Sequence, residues 1–231
     1  MSRDQRRFDI LDAWRTLAIA LMVAYHFLYD LYIFGVLSAA QMFSAPLNIL
    51  ERFICCSFIF LAGASARFSR NNLCHGLTVL AAGIVVEIGA AVGGQTIRWG
   101  VLMLLGSSMV LYHFLGKPLQ KLPGWTLAVG GGALFFLTRW WTGQAVVSAK
   151  WLYPLGFMYP GFRSADYFPL LPWFFLFLIG TVLGGWCLEH RENRLLTAPL
   201  PKALTWPGRH SLIIYVLHQP VLYGISYLIW G

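Results

Sequence analysis

Between Asp12 and Ile33 the chain is apolar enough to cross a bilayer, yet Asp12, Arg15, His26, Tyr29 and Asp30 recur through it at spacings of three, four and multiples of both. That rhythm places them on one stripe of a helix and leaves Leu, Ile, Ala, Val and Phe for the other face. At about 1.5 Å of rise per residue, Asp12 and Asp30 stand roughly 27 Å apart, close to the thickness of a hydrocarbon core. An ionisable group held at that depth costs about 2.5–3.5 kcal/mol on insertion scales, so such groups face other helices or a wet cavity. The segment is therefore expected to be a membrane helix that lines a site or a path.

The composition extends this to the whole chain. With 58% hydrophobic and 11% charged residues and a mean hydropathy of +0.64, it departs from the roughly 25% charged content of soluble domains. The expected class is all-α, a polytopic membrane helix bundle in the lipid bilayer. No stretch is long enough or polar enough to be a linker, so residues 1–231 are read as one domain. The net charge of +8 sits mainly in short loops, where topology explains it, and nucleic acid is excluded as a partner. The basic amino terminus lacks a small-residue cleavage signal and should remain as part of the first membrane helix. Cys55, Cys56, Cys74 and Cys187 show no paired spacing, so they are expected to be packing residues, with neither a disulfide framework nor a metal site. Histidines on two helices could ligate a haem, but nothing else in the chain supports one, and no haem is expected.

Apolar length and breakers give spans near 10–36, 46–67, 73–93, 97–116, 124–140, 168–188 and 208–230, about seven transmembrane helices. The fifth is the weakest, because Gly130, Gly131, Gly132 and Arg139 interrupt it. Seven spans put Arg3, Arg6, Arg7, Arg67, Arg70, Lys117, Lys121, Arg191, Arg194, Lys202 and Arg209 on one side, and Arg98, Arg139, Lys150 and Arg163 on the other. That bias predicts a cytoplasmic amino terminus and an external carboxyl terminus; the expected location is the cell (inner or plasma) membrane. The one long connection, 141–167, is rich in Trp, Tyr, Phe and Pro. It reads either as an interfacial anchor or as a lid.

Three groups of residues could carry chemistry. His26 and Asp30 are neighbours at i and i+4, with Tyr29 beside them; an acid next to an imidazole can orient it and raise its basicity, as a general base requires. In the last span Ser211, Tyr215 and His218 share a face, Gln219 lies alongside, and Pro220 frees a backbone carbonyl. For both histidines a packing role is an equal alternative at this point. Glu51, Arg52, Glu87, Arg98 and Asp166 form an outer set read as ion-paired scaffold, with Glu87 and Arg98 as the first pair. Arg15, Arg67, Arg70, Arg209 and His210 collect at the inner helix ends, where they serve topology or hold a phosphorylated ligand.

The stretch LDAWRTLAIALMVAYHFLYDL (11–31) is similar to the start of transmembrane acyltransferases, a helix of the form Leu-Asp-x-x-Arg-Gly-x-Ala followed by His or Asn. With HFLYDLYIFG (26–35), ERFICCSFIFLAGAS (51–65), IRWGVLMLLG (97–106), DYFPLLPWFFLFLIG (166–180) and GRHSLIIYVLHQP (208–220), the whole chain resembles a small bacterial family. That family is related to the catalytic domain of heparan-alpha-glucosaminide N-acetyltransferase. The resemblance implies transfer of an acyl group, acetyl first, from cytoplasmic acyl-coenzyme A to a hydroxyl or amine acceptor on the outer side, a glycan or a small molecule. Two positions depart from the pattern: Thr16 replaces Gly, and Met103 stands where bacterial relatives lead one to expect His.

The combined expectation is a membrane acyltransferase with His26 as base, Asp30 or Tyr29 orienting it, and His218 and Gln219 positioning the acceptor or the oxyanion. Arg15, Arg70, Asp12, Arg209 and Ser211 would form the donor site, with acetyl-coenzyme A as co-substrate and no metal. The alternatives are a small proton or solute transporter and a non-catalytic membrane partner that keeps the scaffold. A homodimer is compatible with either.

Overall fold

The computed structural model describes residues 8–231; Arg3, Arg6 and Arg7 of the inner basic set lie outside the described residues. The helices are α1 (Asp9–Ile33), α2 (Ala39–Met42), α3 (Ala45–Phe68), α4 (Asn72–Val92), α5 (Val101–Leu119), α6 (Gly124–Gln144), α7 (Leu170–Glu189), α8 (Arg194–Thr197), α9 (Lys202–Arg209) and α10 (Ser211–Trp230), with a 3-10 turn at Lys150–Leu155. Six of them, α1, α3, α4, α5, α7 and α10, are long and apolar enough to cross a membrane. The chain is thus a multi-pass helical membrane protein in contact with the bilayer. The expected fifth span is a helix of 21 residues, but α6 is not among those six, because its glycines, Arg139 and polar threonines dilute it.

Boundaries follow local chemistry. Helix α1 ends in a Schellman arrangement: the Val36 N–H donates to Leu31 O at 2.8 Å and the Gly35 N–H to Tyr32 O at 3.1 Å. Gly35 can take the required φ of +75° at no steric cost. Ser38 and Gln41 form a reciprocal capping box on α2, and the Asn71 side chain accepts from Cys74 N at 3.0 Å to start α4. Helix α5 starts at Val101 rather than at residue 97, since Trp99 has φ +58° and breaks the backbone before it. The expected last span, 208–230, is the single helix α10, which starts at Ser211; the short α9 before it ends at Arg209, the two parted at His210.

The chain divides into two compact units, one formed by residues up to Phe58 with Arg191–Gly231 and the other by Ile59–His190; the division falls within α3. In the first unit α1 packs on α9 and α10, with α2 and α8 at its sides. In the second, α4 packs on α5 and α6 on α7. Backbones approach closely where small residues face one another, as is usual between membrane helices. A Cβ on Gly63, Gly180 or Gly184 would run into the backbone of Phe177, Phe60 or Ala64, so α3 and α7 meet along a glycine seam.

Candidate functional site

Helices α1 and α10 bring the polar stripe of the first span onto the His-Gln-Pro segment of the last. The His26 and His218 rings meet edge to face with centroids 4.8 Å apart and planes at 80°. His218 is 8% exposed, and its Nδ1 lies 2.6 Å from Tyr215 O. Gln219 Nε2 donates to Asp30 Oδ1 at 2.8 Å, and Asp30 is 1% exposed. The Gln219 side chain also neighbours His26. Asp30 Oδ2 and His218 Nε2 are buried and have no hydrogen-bond partner among the described residues. A buried carboxylate oxygen and a buried ring nitrogen without partners are costly to leave so, and both belong to the residues that α1 and α10 bring together.

The arrangement differs from the expected triad. Asp30 is held by Gln219, from the other helix, and Tyr29 stacks at a tilt on Tyr32 with centroids 5.9 Å apart. Neither has a hydrogen bond to His26 among the described contacts. The partners of His26 come instead from across the α1–α10 interface and from Tyr25, whose ring stands edge-on at 6.1 Å.

One end of α1 carries a second polar cluster. Asp12, 6% exposed, accepts from Arg15 at 3.0 Å through Oδ1 and from Arg209 Nε at 3.2 Å through Oδ2. Arg209 also donates to Asp9 Oδ1 at 2.7 Å, and Asp9 Oδ2 accepts the Leu200 N–H at 3.0 Å. Burial lowers the Arg209 pKa, but its bonds and charge pairing with Asp9 and Asp12 outweigh this and hold it above the ordinary value. Arg15 donates a further bond to Gly208 O at 3.3 Å, and the Gly208 N–H donates to Thr16 Oγ1 at 2.9 Å. Gly208 must be glycine, because a Cβ there would strike the Asp12 carbonyl. The expected donor ligands Arg15, Asp12 and Arg209 are thus bound to one another, clasping α9 to α1. Ser211 opens α10, and Arg70 is exposed between α3 and α4. The clasp explains the Leu-Asp-x-x-Arg pattern as a helix lock, and it gives Thr16 a function that glycine could not supply.

The expected Glu87–Arg98 ion pair is not formed. Glu87 Oε1 accepts the backbone N–H groups of Trp99 at 2.7 Å and Gly100 at 3.3 Å, while Asp166 Oδ2 accepts that of Val101 at 3.2 Å. Two carboxylates therefore cap the amino end of α5, where unpaired N–H groups and the helix dipole favour negative charge. Arg98 turns away and donates to the Tyr159 hydroxyl at 2.9 Å. Nor do Glu51 and Arg52 form an ion pair among the described residues, since adjacent helical side chains diverge.

The long connection folds as an aromatic cluster. The Phe162 ring contacts Tyr153, Tyr159 and Tyr167 with centroids 5.8, 5.3 and 4.7 Å away. Burial, followed by the nearby Tyr153, pushes the Tyr167 phenol up to about 12, so it stays protonated and donates to Tyr153 O at 2.6 Å. Met103 lies against Gly83, filling the α4–α5 seam with a thioether.

The family model described as heparan-alpha-glucosaminide N-acetyltransferase, catalytic, matches residues 7–220. The chain belongs to this family. The match spans both polar clusters and reaches the Pro220 that closes the His-Gln-Pro segment. Neither the curated proteins nor the solved structures give a match. Membership supports a membrane acetyltransferase-like protein.

Proposed function

We propose that this protein transfers an acyl group, acetyl first, from cytoplasmic acyl-coenzyme A to a hydroxyl or amine acceptor presented on the outer side, such as a sugar. The whole chain acts as one transmembrane acyltransferase domain in the inner membrane. The observation that carries this reading is the cluster of His26, His218, Asp30 and Gln219, with its buried, unpartnered acceptor atoms on Asp30 and His218, in a chain of an acetyltransferase family. An acceptor X–H entering the cluster finds a carboxylate oxygen and a ring nitrogen ready to receive its hydrogens. Gln219, fixed by Asp30, is placed to orient the acceptor or to support the oxyanion that develops at the thioester carbonyl. Among the expected donor ligands, Arg70 is the one whose exposed guanidinium suits coenzyme A phosphates. Arg15 and Arg209 instead hold the framework.

The test is acetyl-coenzyme A binding to detergent-purified protein by calorimetry, followed by thiol release with an acceptor panel. Saturable binding that Arg70→Ala weakens, and thiol release that His26→Ala lowers in a folded protein, are the expected results. Absence of binding at millimolar donor would sink the reading.

A further inference from the structure

Resting on the acyl-transfer reading above, we infer that the base taking the acceptor's proton is His218, through Nε2, and that His26 is a positioning residue. The Tyr215 carbonyl oxygen 2.6 Å from His218 Nδ1 can only accept, so Nδ1 carries the hydrogen. A neutral imidazole has one N–H, which leaves the lone pair on Nε2. That atom is buried and has no partner among the described residues, so it is the nitrogen that remains for a ligand. His26 has no such constraint. Its neighbours are the rings of Tyr25 and His218 and the Gln219 amide, which can donate or accept, so neither tautomer is imposed. Two other histidines share the backbone feature: His190 Nδ1 lies 3.0 Å from Trp186 O and His210 Nδ1 2.8 Å from Trp206 O. Both stack on a tryptophan at a helix end, so among the described residues a tautomer fixed in this way faces a second imidazole only at His218.

His218 Nε2 takes the proton from X–H while X attacks the thioester carbonyl carbon, forming the X–C bond. The tetrahedral oxyanion collapses, the C–S bond breaks, and the coenzyme A thiolate leaves with the electron pair. The proton held on Nε2 goes to the thiolate, giving acylated acceptor, free thiol and neutral His218. Throughout, the Nδ1–H stays donated to the Tyr215 carbonyl, which supports the transient imidazolium. Asp30 Oδ2 is the rival base: like Gln219 Oε1 it is a buried acceptor of the cluster without a partner among the described residues, but unlike an amide oxygen it can take a proton.

The experiment compares the full-length protein with His218→Asn, His218→Gln, His26→Asn and Asp30→Asn in detergent. It follows thiol release from acetyl-coenzyme A with a hydroxyl and amine acceptor panel, donor binding by calorimetry, and imidazole tautomers by 15N spectroscopy of histidine-labelled protein. Asn at 218 keeps an amide near the Nδ1 position for Tyr215 and removes Nε2; Gln serves if Asn does not fold. The expected result is a kcat loss of about 10²–10⁴-fold at position 218 with donor binding retained. The resonance lost on substitution should be a neutral Nδ1–H imidazole, and His26→Asn should lose less than His218→Asn. Three results overturn the assignment alone while the unsubstituted protein transfers: kcat within tenfold after loss of His218, an Nε2–H tautomer at 218, or a larger loss in Asp30→Asn. No transfer by the unsubstituted protein, with any acceptor, overturns the acyltransfer reading and this inference with it.

Discussion

At the scale of single residues, Asp12 and Thr16 determine how the first helix is held. Asp12 faces two guanidinium groups while almost fully buried, so Asp12→Ala removes the carboxylate that Arg15 and Arg209 share and leaves Arg209 only its bond to Asp9. Breaking a buried pair from one side costs about 3–5 kcal/mol, and partial exposure of Arg209 places this case at about 3. Asp9→Ala, at a more exposed pair, should cost under about 1 kcal/mol. Thermal scans in one detergent compare the two, and equal losses would refute the clasp. Thr16→Gly, which restores the more usual family residue, should destabilise by about 2 kcal/mol. It removes the bond to the Gly208 N–H, worth about 1 kcal/mol, and puts glycine inside a helix at about the same cost.

At the scale of elements, the amino end of α5 separates a capping role for Glu87 from an ion-pair role. Glu87→Ala strips the acceptor from the Trp99 and Gly100 N–H groups and should cost about 1–3 kcal/mol. Arg98→Ala should cost well under that, and the double-mutant coupling between the two should lie within about 0.5 kcal/mol of zero. A coupling above 1 kcal/mol would restore the ion pair. The glycine seam gives another expectation: Gly180→Leu must push α3 and α7 apart, so it should abolish folded, monodisperse protein, whereas Gly132→Leu, with open space around it, should be tolerated. Hydropathy alone distinguishes none of these glycines, because the neighbour that a Cβ would meet comes from a distant part of the chain.

At the scale of the whole molecule, crossing number decides where the chain ends. We propose that α6, 21 residues long and so about 30 Å, crosses with α7 as its packing partner, giving seven crossings and termini on opposite faces. Reporters fused after Gly231 and within residues 69–71 read this directly; a cytoplasmic carboxyl terminus would leave six crossings.

Sequence by itself determined the class of solvent, the positions of the long helices and the stripe that carries Asp12, His26 and Asp30, because the periodicity and cost of burial act within one segment. It also pointed to His218 and Gln219, through polar residues placed where lipid forbids them without a partner. Only the tertiary structure decided the partners: Gln219 rather than His26 for Asp30, Asp12 rather than a phosphate for Arg15, and backbone N–H groups rather than Arg98 for Glu87. Each choice depends on which groups from remote segments arrive within hydrogen-bonding distance. Local spacing fixes the face on which a charge lies, whereas packing fixes what that charge meets.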